Sequence, residues 1–119
     1  FESDIHKAAM EGKLTSIQYL IEQLVHTKIE EKGKLGRTPL HFASQNSQIE
    51  VVKYLIEQYH ANVEANDEFG STPLHIASSY GHIEVVKYLI EQCHANVKEF
   101  VLRELNMLRN TRNKREKKV

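Results

Sequence analysis

The ten residues Ile49–Gln58, Ile-Glu-Val-Val-Lys-Tyr-Leu-Ile-Glu-Gln, return unchanged at 83–92, and Thr38-Pro39-Leu40-His41 returns as Thr72-Pro73-Leu74-His75, both at an offset of 34. Separate blocks that share one offset mean a duplicated supersecondary unit, because chance similarity has no reason to keep its spacing. Across residues 38–64 and 72–98, 20 of the 27 aligned positions are identical. A weaker copy starts at Ser3-Asp4-Ile5-His6, and its Leu14–Gln23 aligns with Ile49–Gln58 at an offset of 35. Three units are therefore expected, over about 3–37, 38–71 and 72–97. Such units stack to bury their apolar faces, which places function on the surface of the stack and not in an enclosed cleft.

Each unit reads as a pair of helices. Thr38 suits an N-cap and Pro39 the first helical position, where the missing N–H costs nothing. The short helix opened there should end near Asn46. In the third unit Gly81 supplies the left-handed residue that stops such a helix, and Gly12 and Ser47 hold that place in the other two. The second helix carries Ile49, Val52, Leu55 and Ile56 at spacings of three and four, which makes an apolar stripe. Val51 and Tyr54 widen it, as an element between two stacked neighbours requires. A turn-rich segment, Asn66–Ser71, leads to the next Thr-Pro-Leu-His.

Helix, tight turn, helix and projecting turn, with Gly-x-Thr-Pro-Leu-His complete at Gly36–His41 and Gly70–His75, resembles the ankyrin-repeat family. The resemblance covers residues 3 to about 97. It implies an all-α solenoid of stacked helix-turn-helix units with projecting turns or short β-hairpin fingers. It also implies that His41 and His75, with His6 aligned to them, hydrogen-bond the loops between units. Binding of a protein partner through the finger tips and the concave face of the first helices is the implied function. Two departures stand out: a period longer than the family's ~33 residues, and second helices that run into His60-Ala61-Asn62 and His94-Ala95-Asn96 without the family's glycine. His60 and His94 are expected to bear the backbone strain there.

Composition narrows the function class. With 40% hydrophobic and 27% charged residues the chain suits one soluble domain. No apolar run nears the ~20 residues a membrane span needs, and no basic-then-apolar leader opens the chain. It begins at Phe1, which fits a segment excised from a longer protein. Cys93, the single cysteine, cannot form an internal disulfide, which fits a reducing compartment. The cytoplasm is expected, with the nucleus as the alternative. No nucleophile elbow or phosphate-cradling glycine loop is present. Cys93-His94 lacks a second ligand pair at zinc spacing. A monomer without catalytic residues, metal or cofactor is the expectation.

The informative positions are those that differ between otherwise identical units. In the fingers these are Lys34, Leu35 and Arg37 against Glu68, Phe69 and Ser71; at the ends of the first helices they are Gln45 and Asn46 against Ser79, Tyr80 and His82. These are the predicted partner contacts, with Phe69, Tyr80, Leu35 and Arg37 as anchors because exposed apolar and aromatic groups dominate interfaces. Leu35 and Phe69 could instead fold back onto neighbouring fingers. The mixed charge around them, with Lys32 beside Asp67, does not make a phosphate-tracking stripe, so nucleic acid is an unlikely partner.

After Val97 the repeat stops, and Val97, Val101, Leu105 and Leu108 recur at helical spacing. A helix over 98–109 is expected, either capping the last unit or docking into a partner. Residues 110–119 are nearly devoid of apolar groups and are expected to be disordered. Residues 1–99 carry 9 Lys/Arg and 14 Asp/Glu (9 − 14 = −5), and 100–119 carry 7 and 2 (7 − 2 = +5). A basic tail on an acidic body keeps two other readings open: a nuclear regulator whose tail serves import or touches nucleic acid, and the targeting segment of a larger enzyme.

Overall fold

Thr38 and Thr72 open the inner helices through a reciprocal cap in which histidine replaces the usual glutamate. Each threonine Oγ1 accepts the N–H of the histidine three residues on, at 3.4 Å, and that histidine's Nδ1 accepts the threonine's own N–H at 3.1 Å. Pro39 and Pro73 occupy the first turn. Helices of seven residues are marginal alone, so caps and packing must hold them.

The computed structural model describes residues 4–23 and 28–117. The helices are α1 (Asp4–Glu11), α2 (Leu14–Gln23), α3 (Pro39–Gln45), α4 (Ile49–Tyr59), α5 (Pro73–Ser79), α6 (Ile83–Glu91) and α7 (Val97–Lys117). Helix α3 packs between α1 and α5, and α4 between α2 and α6, so two parallel layers run along the stack. Their facing sides form one continuous core in which Ile17, Leu40, Val51, Val52, Leu55, Leu74, Val85 and Leu89 are almost wholly buried. Each such side chain contributes about 1.5–3 kcal/mol of transfer free energy.

Left-handed residues sit where the spacing predicts them: Gly12, Ser47 and Gly81 between the helices of a unit, and His60 and His94 after the second helices. His60 (φ 53, ψ 42) donates to the Ile56 carbonyl at 3.0 Å, and Ala61 donates to that of Leu55 at 3.1 Å. This Schellman pair satisfies the helix end but holds a side chain where glycine is the relaxed choice. His60→Gly is expected to stabilise the chain by about 0.5–1 kcal/mol, once glycine's greater freedom in the unfolded state is offset against the relieved strain. A urea midpoint at or below the parent's would refute this.

Among the described residues there is no strand, so the fingers are projecting turns and not β-hairpins. Gly33 donates to Arg37 at 2.8 Å, Asp67 to Ser71 at 2.9 Å, and Glu68 of one finger to Leu35 of the other at 2.9 Å. Positive φ at Leu35, Gly36 and Gly70 turns the chain back before a ladder can extend.

The C-terminal helix differs from its expected limits. Helix α7 does not end at Arg109 but continues to Lys117, so residues 110–117 are helical where disorder was expected; Lys118 and Val119 lie outside the described residues. With no glycine or proline in α7, nothing stops the helix once it has started. Among the described residues, the helix meets the last unit through few of its side chains. Phe100 packs on His75 with ring centres 5.3 Å apart, repeating the 5.2 Å contact of Phe42 on His6. Arg103 donates to the Gly70 carbonyl and Ser71 Oγ at 2.9 and 3.1 Å. Val101, Leu105 and Leu108 remain exposed.

Candidate protein-binding surface

The finger at 67–71 is built around one carboxylate. Asp67 Oδ1 accepts the N–H groups of Phe69 and Ser71 at 2.9 and 2.8 Å, and Oδ2 accepts Arg37 Nε at 3.2 Å. Burial would raise this carboxyl, but the Ser71 and Phe69 N–H groups and Arg37 overcome it and hold it below its ordinary 3.8. Arg37 also donates to Gln45 Oε1 at 3.0 Å. Behind the finger, fully buried His41 places Nε2 at 2.8 Å from the Ser71 carbonyl. Because Nδ1 accepts from Thr38, the imidazole is neutral with its proton on Nε2, which it donates. His6 makes the matching contact to the Glu31 carbonyl, also at 2.8 Å.

The predicted contact residues divide by what holds them. Lys34, Leu35, Asn46, Glu68, Phe69, Ser79 and Tyr80 are exposed. Phe69 is 64% and Tyr80 53% accessible, so neither ring folds back. Ser71 is only 8% accessible, and its N–H, carbonyl and hydroxyl are all engaged; it shapes the finger and offers a partner almost no surface. Arg37, paired with a fully covered Asp67 side chain, is a wall of the surface and not a free anchor. Half-buried His82 reaches the Gln45 carbonyl at 2.7 Å and stacks on Tyr80 at 6.1 Å between ring centres. Asn46 Nδ2 reaches the Met10 carbonyl at 3.0 Å.

Neighbouring units are therefore stapled by side chain to backbone bonds. Two further staples escaped the sequence: Glu30 Oε2 accepts Asn62 N–H at 2.9 Å, and Glu64 Oε2 accepts Asn96 N–H at 2.8 Å. Their shared offset of 34 was the available signal. Also missed was a cavity of about 240 Å³ between the first two units, lined by Met10, Lys34, Leu35, Arg37, Phe42 and Gln45. All six of those residues differ from their counterparts in the next crevice, Gln45, Glu68, Phe69, Ser71, Ile76 and Ser79, which is where the signal lay.

Among the described residues no group of three His, Cys, Asp or Glu could hold a metal. Burial, opposed by a bond from Tyr88, raises the Cys93 thiol above its ordinary 9.0, which leaves it protonated and a poor nucleophile. No helix among the described residues is long and apolar enough to cross a membrane.

The transient receptor potential cation channel subfamily A member 1 of Homo sapiens is 34% identical over 58 residues, which is 48% of this chain and 5% of the channel. The chain thus spans a small fraction of that relative. A chain in the crystal structure of the yeast ribosomal protein Rps3 in complex with its chaperone Yar1 superposes with a TM-score of 0.70 at 29% identity, over 76% of this chain and 69% of that one. The Bd0816 predatory endopeptidase of Bdellovibrio bacteriovorus in complex with immunity protein Bd3460 contains a chain similar in fold, with TM-score 0.69, 24% identity and coverage of 76% and 46%. The family model for ankyrin repeats (3 copies) matches residues 5–100, ending at the Phe100 that closes the third unit. Since that match takes in every unit, finger and staple described above, the chain belongs to the ankyrin-repeat family.

Proposed function

We propose that the chain is a non-catalytic module that binds a protein partner across its fingers and the concave face of α1, α3 and α5. Ankyrin repeats are generally protein–protein interaction modules, and the yeast neighbour was solved in a complex of two proteins. One observation carries the reading for this chain: Phe69 and Tyr80 are exposed on a surface whose supporting residues are already hydrogen-bonded in place. Binding then costs little ordering on the module's side. The mixed sign of the fingers gives less support to nucleic acid, whose phosphates need cations gathered on one face.

Truncating an anchor aromatic costs about 1–2 kcal/mol or more, so Phe69→Ala with Tyr80→Ala is expected to weaken a partner's affinity at least tenfold by that same scale. Affinity capture from the native cell, followed by titration of the captured protein against parent and double variant, is the test. Equal affinities would overturn the proposal.

A further inference from the structure

We propose that the cavity between the first two units is a socket for an apolar side chain that carries a carboxylate beside it, such as Phe or Leu next to Asp or Glu in a partner peptide. This deepens the protein-binding reading and rests on it for the identity of the ligand as a peptide. The socket holds about 240 Å³, and roughly 150 Å³ is enough for benzene, so one large side chain enters without rearrangement.

Its lining has two chemistries. Met10, Leu35 and Phe42 are apolar, and Phe42 is fixed by its contact with His6. Lys34, Arg37 and Gln45 are polar and donate. Arg37 is compensated by Asp67, while Lys34 belongs to neither ion pair found among the described residues, Lys13–Glu11 and Arg37–Asp67. Gln45 Oε1 is taken by Arg37, which leaves its amide nitrogen as a donor. An uncompensated ammonium and a donating amide beside an apolar floor select an anion attached to an apolar group. The next crevice has the opposite character: Glu68 stands where Lys34 does, Ser71 where Arg37 does, and Ser79 where Gln45 does. The preference for a carboxylate therefore belongs to this crevice and is not a property of the repeat.

Three probes sharing one ring test this on the whole chain by nuclear magnetic resonance: phenylacetate, 2-phenylethanol and 2-phenylethylamine. Phenylacetate is expected to shift the Met10, Leu35 and Phe42 side-chain signals and to bind about two- to fivefold more tightly than the alcohol, the scale of one half-exposed ion pair. The amine should bind more weakly than either. Lys34→Gln, at an exposed position, should abolish the preference for phenylacetate over the alcohol. Shifts confined to other residues, equal binding of the three probes, or a preference that survives Lys34→Gln would each overturn the socket. The two proposals fail separately. Capture that still depends on Phe69 and Tyr80 while the socket fails leaves the protein-binding surface standing, and probe binding without that dependence leaves only the socket.

Discussion

Replacing His41 with alanine is expected to lower the unfolding free energy by about 3–5 kcal/mol, the sum of a buried cavity and of polar groups that lose a partner. His41 is fully buried and joins the N-cap of its own helix, Thr38, to the Ser71 carbonyl of the next finger. Its removal leaves the Thr38 N–H without its acceptor and takes from the Ser71 carbonyl one of two donors, the other being the Asp67 N–H. The change should also appear in the pH dependence. Burial, aided by the charges of Arg37 and Lys32 and opposed by the Ser71 carbonyl and Asp67, puts the imidazole's pKa below 6.5 in the folded state. Protons then bind the unfolded chain more readily than the folded one. The stabilisation is complete above 6.5 and is lost as pH falls through the lower folded value. Urea melts on either side of that window should show a slope in the parent that His41→Ala lacks. An unchanged slope, or a loss below about 1 kcal/mol, the worth of one ordinary hydrogen bond, would show that the ring is not a structural bridge.

Leu55→Ala is expected to cost as much, about 3–5 kcal/mol, because the side chain is fully buried in α4 between α2 and α6 and its truncation opens a cavity in the core,. Phe100→Ala makes the useful contrast. Its ring also packs against the core, over His75, but it is half-exposed at the end of the stack, where solvent replaces part of what is lost. A cost of about 1–2 kcal/mol follows from the smaller area returned to water. In a linear stack each unit draws its stability from two interfaces, and a terminal one from a single interface. Denaturant titration of both variants decides the matter: equal losses would mean that the end of the stack is as well packed as its centre.

The amino-acid sequence by itself determined whatever depends on neighbours a few residues apart or on the repeated offset. The Thr-Pro-Leu-His cap is closed by residues three apart, the left-handed positions at Gly12, Ser47, His60, Gly81 and His94 are local backbone requirements, and the offset of 34 dictates stacking. The tertiary structure alone decided which variable residues are free. Lys34 and Arg37 sit in one finger and are equally basic, yet Arg37 is committed to Asp67, 30 residues away, while Lys34 faces solvent. Ser71 and Phe69 differ in the same way, since one closes the finger and the other projects from its tip. A periodic pattern places residues on a common face, but it does not specify which of them find a partner across that face. That choice depends on distances of about 3 Å between units far apart in the chain, which only packing sets.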